Sequence, residues 1–219
     1  MTDPTVAARR EFFDGLYVAA GGGGEPVPWD RDGAPQQLLA DWAADRSLDG
    51  AGRRAVVVGC GLGGDAEFLA RLSFAVVGFD FSAPAIEAAR ERNPLSVVDY
   101  EVADLLALPA GWLAGFDLVV ESLTVQSLPR SVRPRVVAAV RSLAAPGGSV
   151  LVISAQQGVR DEEPTGPWPL SRADLDSFAG DGFELVRLEQ PPGPDGLPRW
   201  RAEFRRATAE DAVRTAGSG

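Results

Sequence analysis

Residues 55–70 read AVVVGCGLGGDAEFLA: an apolar run of β-branched residues, a glycine turn and the beginning of a helix. Gly59, Gly61 and Gly64 satisfy G-x-G-x-x-G, while Gly59, Gly61 and Gly63 satisfy G-x-G-x-G. Glycine at such points lets backbone approach a ligand closely, and the helix that follows presents free N–H groups at its N-terminus. Taken alone, the pattern also describes a tight strand-to-helix turn that binds nothing.

The rest of the chain repeats the alternation. Short apolar runs at 55–58, 75–79, 96–102, 117–120 and 149–153 are separated by helical segments at 65–72, 84–92 and 132–143. This is the pattern of a parallel sheet with helices on both faces. Ser82 and Ser131 stand where helix caps belong, each with a proline in the following turn. Two later runs, 183–188 and 200–204, are joined by turn residues around PPGPDG, which suits an antiparallel hairpin. Ahead of the first strand, residues 5–19 form a helix that stops at Gly21–Gly24, read as a hinge, and a second helix spans 34–46 with Leu38, Leu39 and Trp42 on one face. The expected division is an N-terminal helical lid over 1–50, a domain over 51–206 and a disordered tail over 207–219.

Length and composition narrow the chemistry. With 219 residues, 45% of them hydrophobic and 24% charged, one soluble globular domain is the default. The net charge of −10 speaks against a nucleic-acid surface. All 21 basic residues are arginine and histidine is absent. A histidine base, a Ser/His/Asp triad, a Schiff-base or P-loop lysine and a histidine-ligated metal are thereby excluded. The single Cys60 allows no internal disulfide and no cysteine zinc cluster, so no metal is expected. The first residues lack an apolar signal-peptide core and no stretch is long and apolar enough to span a bilayer, so the expected location is cytoplasmic.

The second strand ends in Phe79 and Asp80, nineteen residues after Gly61, close to the spacing of about 20 at which a carboxylate meets ribose hydroxyls. Alternatively Asp80 caps the helix beginning near Ser82. Dinucleotides and S-adenosylmethionine both use this arrangement. The methyl donor is favoured by Asp104 after the third strand, placed to accept from an adenine amino group, by the terminal hairpin, and by the lack of the His, Lys or Tyr/Lys groups that hydride-transfer enzymes recruit.

On VVVGCGLGG, GFDFS, VADLLALP, FDLVVES and APGGSVLV, in that order, residues 25–206 resemble the class I S-adenosylmethionine-dependent methyltransferases. The resemblance implies a Rossmann-like α/β fold with a seven-stranded, mostly parallel sheet in the order 3-2-1-4-5-7-6, its last strand antiparallel. PWDRDGAP and GPWPLSRADL are similar to the thiopurine and thiol methyltransferase branch, which implies a sulfur acceptor. By that resemblance Gly59, Cys60 and Gly61 back the methionine part, Asp80 holds ribose, Phe81 lies beside adenine, Asp104 and Leu105 line the adenine edge, and Glu121 lies near the methionyl group. Val57 stands where the family often has an acid, leaving Asp65 or Glu121 to supply that contact.

Methyl transfer needs alignment more than acid–base power, and a thiol is already a few per cent ionised at neutral pH. Glu121 is the candidate proton acceptor for an amine or phenol, with Asp30 and Asp32 as alternatives. Trp29 either faces the sulfonium or packs the N-terminal segment, and Trp168 either walls the pocket or staples the surface. Arg133 and Arg160 either hold an anionic substrate or are solvated. The expected function is methylation of a small molecule, thiol first and nitrogen or oxygen second, yielding S-adenosylhomocysteine, as monomer or homodimer. The rivals are a nicotinamide-dependent oxidoreductase and a cofactor-binding protein without activity.

Overall fold

In the computed structural model, residues 4–160, 165–208 and 210–211 are described. The part of the expected tail at 209 and 212–219 lies outside them. The chain divides into two compact units, residues 1–107 and 108–219.

The first unit contains α1 (Pro4–Gly21), α2 (Gln37–Asp45), β1 (Arg54–Val58), α3 (Gly64–Arg71), β2 (Ala75–Asp80), α4 (Ala83–Arg92) and β3 (Asp99–Val102). Strands β1, β2 and β3 run parallel, with Val58 opposite Phe79 and Asp80 opposite Val102. Their β-branched residues are the reason: Ala55, Val56, Val57 and Val58 are all at most 2% exposed, as a strand covered on both faces requires. The third strand is shorter than the 96–102 expected. Ser96 instead makes a turn, its Oγ accepting from Val98 N at 2.9 Å and meeting Glu67. Gly21–Gly24 is not an open hinge, because Gly22, Gly23 and Gly24 donate to the last carbonyls of α1 at 2.9–3.1 Å.

The second unit contains β4 (Phe116–Ser122), α5 (Arg133–Leu143), β5 (Ala144–Ala155), α6 (Arg172–Asp176), β6 (Phe183–Glu189) and β7 (Arg199–Arg206). β4 and β5 are parallel, whereas β7 runs antiparallel to both β5 and β6. β5 begins five residues earlier than its apolar run, since Ala144 already pairs with Phe116 before the register shifts across Pro146, Gly147 and Gly148. Ser131 does not cap α5: a 3-10 turn over Arg130–Val132 puts Val132 in the cap position, without a side-chain bond. The short α6 was not visible as a periodic segment. A capping box between Ser171 and Asp174 secures it.

The strands form one seven-stranded sheet in the order β3-β2-β1-β4-β5-β7-β6, the Rossmann-like arrangement expected. The order reverses at β1, and α/β proteins of this kind bind ligands outside the carboxyl ends of strands at such a reversal.

One glycine shows how tightly the loop after β1 is fixed. Gly63 has φ +88° and caps α3, and a Cβ there would collide with the Tyr100 hydroxyl, itself held by Glu67 Oε1 at 2.8 Å. Gly63→Ala should therefore destabilise the protein by about 2–4 kcal/mol, from left-handed strain plus overpacking, read as a lowered midpoint in urea unfolding. An unchanged midpoint would refute this reading.

Candidate functional site

The loop leaving β1 and the end of β2 meet at one carboxylate. Gly59 and Gly61 have φ +63° and +51°, conformations that glycine adopts without strain. This turn points Gly61 N at Asp80 Oδ2, 3.1 Å away, while Ser82 N donates to Asp80 Oδ1 at 3.0 Å. Asp80 is 7% exposed. The helix cap beyond it is Ser82, whose Oγ accepts from Ala85 N at 3.4 Å, so Asp80 ties the glycine loop to the entry of α4 without being the cap itself. Its oxygens accept from these backbone donors, with the Phe81 backbone as a further one, which still leaves acceptor capacity on the carboxylate. Burial raises its pKa to about 6, aided by the negative charge of Asp14 and opposed by the backbone donors.

Cys60 is buried inside the loop, its N donating to Phe79 O at 2.9 Å. Burial pushes its thiol up, so it is a packed turn residue and not an activated nucleophile.

Over the loop lies an aromatic cluster from the N-terminal segment. Trp29 Nε1 donates to Tyr17 Oη at 2.9 Å, and a Cβ on Gly61 would stand 2.9 Å from that oxygen. Phe13 meets Trp29 and Phe81 edge-on at centroid distances of 5.4 and 5.9 Å. Trp29 thus packs among Phe13, Tyr17 and Leu62, its indole N–H spent on Tyr17.

Two fastenings hold the segment that carries Trp29. Arg92 forms a two-pronged pair with Asp30, both bonds at 2.7 Å. Gln36 N donates to Asp65 Oδ1 at 2.5 Å, with Arg31 3.7 Å from the same oxygen. Asp65, 8% exposed with its pKa raised by burial, is therefore engaged by the segment at 31–36.

Asp104 and Leu105 follow β3. Leu105 is buried; Asp104 Oδ1 accepts from Leu106 N at 2.8 Å and Oδ2 from Arg10 Nη2 at 3.0 Å. Sequence reasoning gave Arg10 and Tyr17 no role. The available signal was their spacing: 10, 13 and 17 recur at i, i+3 and i+7 and share one face of α1.

In the second unit Glu121 sits near the carboxyl end of β4 and is fully buried. Its Oε1 accepts from Thr124 N and Val125 N, each at 2.7 Å, and its Oε2 has no partner among the described residues. Burial raises its pKa to about 7, against the pull of the two backbone donors and Arg133. The intervening Leu123 has φ +63°, an uncommon conformation for a bulky residue and one that clusters at functional sites. Arg133, 4% exposed, donates to Asp174 Oδ2 at 3.0 Å and to Trp168 O at 2.7 Å, so two of its nitrogens hold the 168–174 segment. Trp168 is half-buried, its N donating to Gln126 O at 2.7 Å. Arg160 is exposed and pairs with Asp195 at 2.9 Å. Among the described residues no cluster of ligating side chains could hold a metal, and no helix is long and apolar enough to cross a membrane.

A family model described as a methyltransferase domain matches residues 55–148, from β1 through the glycines before the main part of β5. A 2-heptyl-1-hydroxyquinolin-4(1H)-one methyltransferase of Mycobacteroides abscessus is 29% identical over 121 residues, 53% of this chain and 52% of that one. The chain thus spans about half the length of this curated relative. Among solved structures, one from work on the conversion of a disulfide bond into a thioacetal group during echinomycin biosynthesis is 25% identical, with TM-score 0.74, covering 95% of this chain and 96% of that one. An N-methyltransferase from Bradyrhizobium japonicum, in complex with S-adenosylhomocysteine, shares the fold at 20% identity and TM-score 0.68, covering 90% and 98%. A 1,6-didemethyltoxoflavin-N1-methyltransferase from Burkholderia thailandensis does so at 16% identity and TM-score 0.71, covering 94% and 92%.

Asp65, Asp80 and Glu121 share one electrostatic signature: burial raises all three above their unfolded values. The folded state then binds more protons than the unfolded chain between the two sets of values, so stability falls as pH rises through about 6–7. Asp30 and Glu189, whose pKa values are lowered, release their protons below that window. The ligand-free melting temperature should be ~2–5 °C higher near pH 5.5 than near pH 8. A flat or inverted profile in differential scanning fluorimetry would contradict these environments.

Proposed function

We infer from the methyltransferase domain over residues 55–148 that this protein is an S-adenosylmethionine-dependent methyltransferase acting on a small molecule, with a thiol or other soft sulfur nucleophile as the leading acceptor. The observation that carries the reading is the Asp80 carboxylate, buried beside the glycine turn and held by backbone amides, with acceptor capacity beyond them. The residues present fit the donor. Gly61 lets backbone pass close beneath Tyr17 and Trp29, and Asp80 would accept from the ribose hydroxyls. Bound there, S-adenosylmethionine would supply a methyl carbon on a sulfonium, open to in-line displacement by a lone pair.

The chain's own contribution is alignment and exclusion of water. Tyr17 and Trp29 lie over Gly61 with their hydroxyl and indole nitrogen nearest it, and Phe13 and Leu62 pack in the same aromatic cluster. Orientation of this kind is worth roughly 7–11 kcal/mol in favourable cases, without any acid–base group. That suits a chain with neither histidine nor lysine. A thiol acceptor needs little help in losing its proton, and the 25%-identical structure from work on sulfur chemistry supports that preference.

A nitrogen or oxygen acceptor is the second reading, favoured by Glu121. Its Oε2 is buried and without a partner among the described residues, and a pKa of about 7 lets it take a proton near neutral pH. The N-methyltransferases of the same fold are in keeping with this alternative.

In thermal-shift measurements S-adenosylhomocysteine should stabilise the protein and NADH should not; the reverse would make the protein a nicotinamide enzyme. Asp80→Ala should weaken S-adenosylhomocysteine at least tenfold, since each hydrogen bond to a charged group contributes about 1.5–3 kcal/mol. Unchanged affinity would remove Asp80 from the ribose site. Glu121→Gln separates the acceptor classes in a screen of thiols, amines and phenols for homocysteine-product release. Thiol methylation should survive it, whereas methylation of an amine or phenol should fall by about 10²-fold or more if Glu121 is the base.

A further inference from the structure

Arg10 makes two contacts that together have a chemical meaning. Its guanidinium carbon lies 5.1 Å from the centroid of the Phe81 ring, over that ring, and its Nη2 donates to Asp104 Oδ2 at 3.0 Å. A planar, delocalised, nitrogen-rich group thus lies over an aromatic face while an N–H is given to the neighbouring carboxylate. An adenine ring would offer the same two residues the same two things: a flat π surface for Phe81 and an exocyclic amino hydrogen for Asp104. Phe13 also approaches Phe81, edge-on at 5.9 Å. The adjacent helical residue, Arg9, behaves differently. It is turned to Phe12 and Phe13, with ring distances of 4.8 and 4.6 Å, and is nearly buried.

We propose that Arg10 is an internal stand-in for adenine: it occupies the base subsite of the ligand-free protein, and the nucleoside binds by displacing this guanidinium from Phe81 and Asp104. The proposal rests on the donor assignment above and adds an affinity-determining residue on α1. Both partners of the ion pair are about two-fifths exposed, so the barrier to displacement is modest and the contact is reversible. Arg10 tunes the affinity of the nucleoside and does not abolish it. Cofactor entry and the position of the first half of α1 are thereby coupled.

The test is calorimetric titration of the full chain with S-adenosylhomocysteine and, separately, with 5′-methylthioadenosine, which keeps the base but lacks the amino-acid end. Arg10→Ala should bind both ligands about three- to tenfold more tightly than the unaltered protein, the loss of one exposed ion pair and one cation–π contact. Equal or weaker binding of either ligand would overturn the proposal, because Arg10 would then be neutral or an aid to adenine. A second measurement does not depend on that variant's folding. At about 1 M salt, where charges are screened beyond about 3 Å, the unaltered protein should bind the net-neutral S-adenosylhomocysteine several-fold more tightly than at low salt. Salt-independent or weaker binding would again overturn it. Failure of both proteins to bind S-adenosylhomocysteine under any condition would bring down the donor assignment and Arg10's role together, whereas binding without the Arg10 effect would sink only the latter.

Discussion

Everything around the glycine loop depends on keeping one carboxylate dry. Asp80 is held by the amides of Gly61 and Ser82, and these bonds fix both the turn out of β1 and the entry into α4. Taking such a group out of water is unfavourable, and its raised pKa records the imbalance. Asp80 is thus a buried carboxylate held by backbone amides.

The parts of this arrangement close together in sequence were readable beforehand. The apolar runs of β1 and β2, the glycine spacing and the distance from Gly61 to Asp80 are local patterns, and the structure joins them by a hydrogen bond across nineteen residues. The order of the sheet came with the family resemblance; only the hairpin was independently signalled, by its turn residues. What could not be read were pairings set by tertiary packing. Arg10 lies ninety-four residues from Asp104, and nothing in an arginine on a helix says which carboxylate it will face. Tyr17 was similarly illegible, since its role comes from Trp29 in a segment without secondary structure. The early start of β5 was concealed because Pro146, Gly147 and Gly148 break the apolar run that marks a strand.

Restricting basic residues to arginine shapes how the molecule is fastened. A guanidinium donates in a planar fork and is always charged, so it can bind two acceptors at fixed angles where an ammonium cannot. Arg92 grips both oxygens of Asp30, and Arg133 spans a carboxylate and a backbone carbonyl. These arginines tie down the loop carrying Trp29 and the stretch 168–174, which leads into α6.

Asp174 has the heaviest share of such duties. One of its oxygens accepts from Ser171 N and Ser171 Oγ, closing the cap of α6, and the same oxygen receives Arg133 from α5. A five-residue helix has no capacity to persist without its cap, and a buried guanidinium tolerates no missing counter-charge. Ser171, Asp174 and Arg133 are consequently coupled through one carboxylate oxygen. Loss of Asp174 would remove the helix cap and the counter-charge of Arg133 together.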